Sequence, residues 1–392
     1  MRTEGDFIKI HEWLTPLSWL YGLGVGFRNL LFRLGVLKSR AFDIPVISVG
    51  NITVGGSGKT PHVEYLVSLL QDKMKVAVLS RGYKRKSRGY VLADNESTMS
   101  QIGDEPYQMK QKFPALYVAV DKKRTRGIDI LTSDERTKDV DVILLDDAYQ
   151  HRYVKPGVNI LLVDYHRLII YDKLLPAGCL REPQEGKSRA DIVIITKCPK
   201  DLRPMEYRVL MKALDLYPYQ SLYFTTLVYD NLKPVYGKGS TALNSLPKGC
   251  NVLLLTGIAS PKQMQTDLSV YNFNLHQLAF PDHHNFSKKD VRTINGKFAE
   301  LPSPKLIITT EKDVSRIKFI EGFEQEVKDN MYALPVRIQF MLEQEENFNN
   351  KIINYVRKNS RNSILVKTKD DNKSQNGNHS RNGAGPISFR NN

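Results

Sequence analysis

Little in this sequence can crosslink or export it. The three cysteines, Cys179, Cys198 and Cys250, lie far apart and match neither a zinc nor a CxxC spacing. An odd number of isolated thiols points to a reducing, cytosolic setting. No basic leader or small-residue cleavage site accompanies the first apolar stretch, so a signal peptide is not expected. That stretch, residues 13–37 (WLTPLSWLYGLGVGFRNLLFRLGVL), stays uncharged only as far as Phe27. It therefore falls short of the ~20 apolar residues that a spanning helix needs. Repeats of the solenoid kind are absent. Acidic residues are also short: 42 Asp and Glu face 57 Lys and Arg, leaving a net charge of +15.

What is present fits an ordinary globular chain of 392 residues, 41% hydrophobic and 25% charged, with room for two domains. The basic balance calls for an anionic partner: nucleic acid, a phosphorylated small molecule or an acidic membrane surface. Seven basic residues and no acidic one lie between Lys73 and Tyr90. From Arg357 onward there are eight basic and two acidic residues, so the tail carries +6 and the body keeps +9. Two readings of residues 13–37 stay open. They form a helix docked on the protein's own core, or an interfacial helix with Trp13, Trp19, Tyr21 and Phe27 in lipid and Arg28, Arg33, Lys38 and Arg40 at the headgroups.

From residue 44 a unit recurs in which a bare apolar run leads into a polar loop and then a helix-like stretch. The runs are 45–49, 76–79, 116–120, 142–145, 160–163 and 192–195. Runs without polar alternation suit strands covered on both faces, and helical spacers between them make the sheet parallel. Their carboxyl ends carry Gly50 onward, Ser80-Arg81, Asp121 to Arg124, Asp146-Asp147, Asp164 and Thr196-Lys197. Ligands of open parallel sheets sit at that edge. A second set of runs, 252–255, 275–280 and 306–309, with 332–338 as a last strand, predicts a smaller α/β domain. The expected divisions are an N-terminal helix region over 1–40, a core over 41–225, a hairpin linker over 226–245, the smaller domain over 246–356 and a disordered polar tail over 357–392.

The stretch 48–61, SVGNITVGGSGKTP, ends in Gly58-Lys59-Thr60. Walker A would place its first glycine where this chain has Thr53, so the spacing departs from the standard pattern. The context nevertheless fits a phosphate loop, because a strand enters it and Val63, Leu66, Val67 and Leu70 continue at helical spacing. Gly55, Gly56, Ser57 and Gly58 would bring backbone N–H groups to the anion. Lys59 would reach the β- and γ-phosphates and Thr60 would ligate Mg²⁺. Asp146 and Asp147 end the strand DVILL as a Walker B acid does and could bind the same ion directly or through water. Thr196-Lys197-Cys198-Pro199 begins a guanine-recognition pattern but lacks its aspartate, which favours ATP over GTP. GDEP (103–106) and PDHHNF (281–286) do not fit core patterning. Asp104 or Glu105 with His283 would make a proton-accepting dyad, although nothing in the spacing shows that they meet.

Together the motifs VGNITVGGSGKTP, SRGYKR, GDEP, LLDDAYQHR, LLPAGCLREP and FPDHHNF resemble the bacterial tetraacyldisaccharide 4'-kinase family, in consistent order over roughly residues 10–340. The resemblance implies an α/β fold with a P-loop NTPase-type parallel sheet, a smaller C-terminal α/β domain and an N-terminal apolar helix. It implies transfer of the ATP γ-phosphate, with Mg²⁺, to the 4'-hydroxyl of a tetraacylated glucosamine disaccharide 1-phosphate. Lys59 and Thr60 correspond to the family's loop lysine and threonine. Asp104 corresponds to its base and His283 to the residue assisting it. Glu105, Asp146, Asp147, Gln150, His151, Arg181 and Glu182 match further site positions, and Tyr83 and Arg124 are carried over beside them. Ala148-Tyr149 stands where Gly-Phe is expected. A monomer, peripheral or monotopic, at the cytoplasmic face of the inner membrane, with the lipid substrate and anionic headgroups as partners and no nucleic acid, completes the expectation. The competing reading is a ParA/MinD-like ATPase switch, which would carry a signature lysine where this chain has Val54.

Overall fold

The bare apolar runs form strands that bury both faces. A computed structural model of the chain describes residues 10–258, 261–282 and 284–360. Among them, fourteen strands build two sheets: β1 (Val46–Gly50), β2 (Val76–Ser80), β3 (Val91–Leu92), β4 (Tyr117–Val120), β5 (Val142–Asp146), β6 (Val158–Asp164), β7 (Ile192–Thr196), β8 (Ser221–Tyr229), β9 (Lys233–Pro234), β10 (Asn251–Thr256), β11 (Asn274–Ala279), β12 (Lys305–Thr310), β13 (Met331–Leu334) and β14 (Val336–Phe340). The larger sheet runs β14-β8-β7-β6-β1-β5-β2-β4-β3 and the smaller β11-β10-β12-β13-β9. From β8 to β4 every neighbouring pair is parallel, while the edge strands β14 and β3 run antiparallel. β1, which feeds the loop at 51–58, lies between β5 and β6, so the loop and the Asp146-Asp147 pair share one sheet edge.

The chain crosses between the sheets twice, and here the structure departs from the expected divisions. The run 332–338 is not one strand. Pro335 divides it, leaving β13 in the smaller sheet and β14 on the larger. A proline has no N–H for a ladder and serves as a natural break. The segment expected as a linker from 226 begins inside β8, which extends to Tyr229. The two crossings lie side by side, with the Asp230 N–H donating to the Pro335 carbonyl at 3.1 Å. The helix Glu345–Asn359 follows β14 back to the larger domain and buries Phe348, Ile352 and Val356 in the same cluster as Val63 and Leu66 of the helix Lys59–Leu70. Each such side chain, removed from water, contributes about 2 kcal/mol. The smaller domain is thus an insertion between β8 and β14. The tail expected from 357 is helical as far as Asn359, and its remainder lies outside the described residues.

The helix Thr15–Arg33 docks by polar contacts. Buried Ser18 donates to the Leu174 carbonyl at 2.9 Å, Tyr21 to that of Arg181 at 2.8 Å and Arg28 to that of Gln150 at 2.8 Å. Leu17, Trp19, Leu20, Leu23, Phe27 and Leu30 on it, and Trp13 just before it, are exposed, whereas Phe32 near its end is buried. No described helix is long and apolar enough to cross a membrane.

Candidate active site

The irregular glycine spacing has a local cause. Thr53 is buried in a bridge to Leu180, and the Val54 N–H donates to the Cys179 carbonyl at 2.7 Å. The chain there is paired, with φ negative, and needs no glycine. Positive φ falls instead on Gly55 (113°) and on Gly58 (80°), which precedes the helix Lys59–Leu70. An L side chain rarely adopts that conformation. The loop is braced from within: Asn51 Nδ2 donates to Ser57 Oγ at 2.8 Å, Gln150 Nε2 to the Asn51 carbonyl at 2.7 Å, and Thr196 Oγ1 to the Ser57 carbonyl at 3.0 Å. Buried His62 spans from the Gly58 carbonyl (2.7 Å) to Thr225 Oγ1 (3.1 Å), and burial lowers its pKa to about 4.

The acid pair divides in two. Asp146 is buried, its Oδ1 has no hydrogen-bond partner, and burial raises its pKa, with Glu105 and Asp147 adding to the shift. Asp147 turns outward at φ 45°, with Lys59 Nζ 3.7 Å and Arg181 3.2 Å from its carboxylate. Burial pushes its carboxyl up, but Lys59 and Arg181 outweigh that and hold it below the ordinary value. A buried carboxylate oxygen without a donor, beside a second carboxylate and a loop threonine, suits a hard divalent cation. Thr60, Asp146 and Asp147 therefore fit Mg²⁺.

Several expected site residues hold others in place. Arg124, buried at the start of the helix Arg124–Ser133, borders the cleft and donates to the carbonyls of Asp121 (2.7 Å) and Asp146 (3.1 Å). Glu182 takes two hydrogen bonds from Arg189 (2.9 and 2.8 Å) and one from Gln150 (3.1 Å). The Arg189 guanidinium in turn covers the ring of Tyr149, whose hydroxyl donates to the Gly186 carbonyl at 2.8 Å. His151 presents an unpartnered Nε2 and is held neutral, its pKa lowered to about 4 by burial and by Arg124, Arg28 and Arg81. Tyr83 is exposed on the loop after β2. That loop lies on Gly103, where an added Cβ would stand 2.9 Å from the Tyr83 carbonyl.

A cleft of about 1860 Å³ runs between the domains. The phosphate loop, Asp147, Gln150, His151 and Arg181 line it, as do Glu105 and Lys312 from opposite domains and Tyr21, Val25 and Arg28 of the N-terminal helix. Asp104 opens the helix Asp104–Lys112 and pairs with Arg316 of the smaller domain. His283 lies outside the described residues. Its neighbour His284 bonds Asp290 at 3.1 Å, beside the cap of the next helix. Sequence reasoning missed Asn51, His62, Lys312 and Arg316. The run Thr309-Thr310-Glu311-Lys312-Asp313, which spans the end of β12, repeats the pattern of polar residues at a strand end and was the available signal.

The phosphate loop on β1, the acids on adjacent β5 and a second domain facing them define a P-loop phosphotransferase that works in an interdomain cleft. The chain belongs to the tetraacyldisaccharide-1-P 4'-kinase family, LpxK, whose profile matches residues 10–357. It is 57% identical over 362 residues to a tetraacyldisaccharide 4'-kinase of Phocaeicola vulgatus, covering 92% of this chain and 99% of that one. To the corresponding kinase of Bacteroides thetaiotaomicron it is 52% identical, with 92% and 97% covered. Among solved structures it is similar to LpxK from Aquifex aeolicus in complex with ATP, with TM-score 0.67, 28% identity, and 88% of this chain and 99% of that one covered.

Proposed function

We propose that this kinase of lipid A biosynthesis phosphorylates the 4'-hydroxyl of a tetraacylated glucosamine disaccharide 1-phosphate, working as a monomer on the cytoplasmic face of the inner membrane. One observation carries the membrane reading: the helix that turns its apolar side chains outward also lines the cleft through Tyr21, Val25 and Arg28. A substrate with four acyl chains leaves a bilayer only at about 0.8 kcal/mol per buried CH₂. An enzyme that brings its cleft to the lipid avoids that cost.

The backbone N–H groups at 55–60 and the Lys59 ammonium hold the ATP phosphates, and the helix Lys59–Leu70 directs its N-terminus at them. Thr60, Asp146 and Asp147 would hold Mg²⁺, which would supply positive charge against that of the ATP phosphates. Asp104 accepts the proton of the 4'-hydroxyl as the new O–P bond forms and the bond from γ-phosphorus to the bridging oxygen breaks, releasing ADP. His283 assists Asp104. Arg28, Arg81, Arg181 and neutral His151 provide donors and an acceptor for the sugar and its 1-phosphate. The two domains, between which the chain passes at 230–232 and at 335, close around the bound pair and exclude water.

The test is a transfer assay with labelled ATP, comparing the tetraacyl disaccharide 1-phosphate with its deacylated counterpart. The acylated acceptor is expected to be labelled and the deacylated one to react at least about tenfold more slowly, as lost binding of remote groups dictates. Lys59→Ala should abolish labelling of both. Turnover by that variant would sink the role of the loop, and equal turnover of both acceptors would sink the membrane reading.

A further inference from the structure

Ion pairs join the helix Asp104–Lys112 of the larger domain to the helix Glu311–Ile317 of the smaller one. Lys112 bridges Glu64 (2.8 Å) and Glu311 (3.0 Å), two acids that line the cleft. Next, Lys312 stands 3.5 Å from Glu105 and 3.7 Å from Asp282. Arg316 pairs with Asp104 at the N-terminal end of the helix Asp104–Lys112. Lysine struts of this kind hold two surfaces together without fixing the orientation of either partner.

Arg316 differs in burial and in geometry. Its side chain is 5% exposed, a costly place for a cation unless its donors are used. Nη1 reaches Asp313 Oδ1 at 3.3 Å and the Gly257 carbonyl at 3.5 Å, both within the smaller domain. Asp313 is itself anchored, taking the Gly257 N–H at 2.9 Å and the Thr310 hydroxyl at 2.7 Å. Nη2 donates to Asp104 Oδ2 across the boundary, while Asp104 Oδ1 accepts the Glu105 N–H at 3.1 Å. Both carboxylate oxygens thus meet a donor, Oδ2 from a guanidinium that Asp313 and the Gly257 carbonyl already hold in the smaller domain.

We propose that Arg316 is a positioning residue for phosphoryl transfer: anchored in the smaller domain by Asp313, it orients the Asp104 carboxylate, so the proton acceptor is set only while the two domains are together. This rests on the reading of Asp104 as that acceptor. It makes apposition of the domains part of assembling the base, in addition to shielding the cleft.

Steady-state kinetics on the full chain, with ATP and the tetraacyl disaccharide 1-phosphate, tests it for Arg316→Gln, Arg316→Lys, Asp104→Asn and the Asp104→Asn/Arg316→Gln double variant. Arg316→Gln is expected to lower kcat by roughly ten- to a hundredfold, the scale of a misplaced reacting group, with KM for ATP within about twofold. Arg316→Lys should recover part of the loss. The double variant should be no more than about twofold slower than Asp104→Asn alone, because a residue acting through another adds nothing once that partner is gone. Multiplied losses in the double variant, or a rise in KM with kcat intact, would overturn the role of Arg316. Full turnover by Asp104→Asn would sink the reading of Asp104 and the inference with it. Should Arg316→Gln not fold, the same cycle with Arg316→Lys decides.

Discussion

Two helices near opposite ends of the described chain use the same spacing for opposite ends. In the helix Thr15–Arg33, Trp19, Leu23 and Phe27 recur every four residues and are 70%, 71% and 63% exposed. In the helix Glu345–Asn359, Phe348, Ile352 and Val356 recur every four residues and are buried. Periodicity alone marks a face, but it cannot say what covers that face. What surrounds the stripe differs. Around Phe348 the helix is polar, so a single apolar stripe points at the phosphate-loop helix. Around Leu23 the helix is apolar almost throughout, and Ser18, Tyr21, Arg28 and Asn29 each hydrogen-bond to the larger domain. The first helix is therefore inverted relative to the second, with polar contacts inward and apolar groups outward.

That contrast can be broken in graded steps, read as stability. The largest effect belongs to Phe348→Ala. Its ring packs against Phe340 at 4.6 Å and Tyr223 at 5.2 Å between centroids, and its loss should cost about 3–5 kcal/mol in denaturant unfolding. A loss under ~1 kcal/mol would mean that the C-terminal helix is not part of the core.

A smaller, pH-dependent effect belongs to His62, on the helix that this C-terminal helix covers. The unfolded chain takes up its proton near pH 6.5, whereas the folded protein does so only near pH 4 because burial disfavours the charged ring. This contribution is complete above pH 6.5 and falls as the pH drops toward 4, reaching about 2 kcal/mol lost at pH 5. Melting curves of His62→Gln should show a shallower decline over that window, and an equally steep one would place the pH dependence elsewhere.

The smallest stability effect belongs to the N-terminal helix. Replacing Trp19, Leu23 and Phe27 together by Ser should leave unfolding free energy within about 0.5 kcal/mol, as exposed sites do. The same triple variant should bind anionic liposomes at least about tenfold more weakly, since each buried side chain of this size is worth about 1.5–3 kcal/mol. Unchanged liposome binding would remove lipid as the cover for that face.

How much of the site could be read in advance follows the same division. Strands β1, β2, β4, β5, β6 and β7 and the phosphate loop were legible because bare apolar runs and a glycine-lysine-threonine turn are local signals. Tyr332–Ile338 read as one strand, because a sequence window cannot show that Pro335 stands where the chain changes sheets. Nothing local marks Asn51 as a brace, because Ser57 and Gln150 meet it from 6 and 99 residues away. Arg316 stood 212 residues from Asp104 with no spacing rule to connect them.

By itself the sequence determined the parallel sheet, the edge where phosphate binds, the family and the poor fit of residues 13–37 to a spanning helix, because each depends on residue order within a few turns of chain. Only the tertiary structure decided that β14 and the last helix return to the larger domain, that the N-terminal helix faces outward, and that Asp104 meets a cation from the other domain. Those are contacts between segments far apart in the chain, set by which surfaces remain to be covered once the local elements have formed.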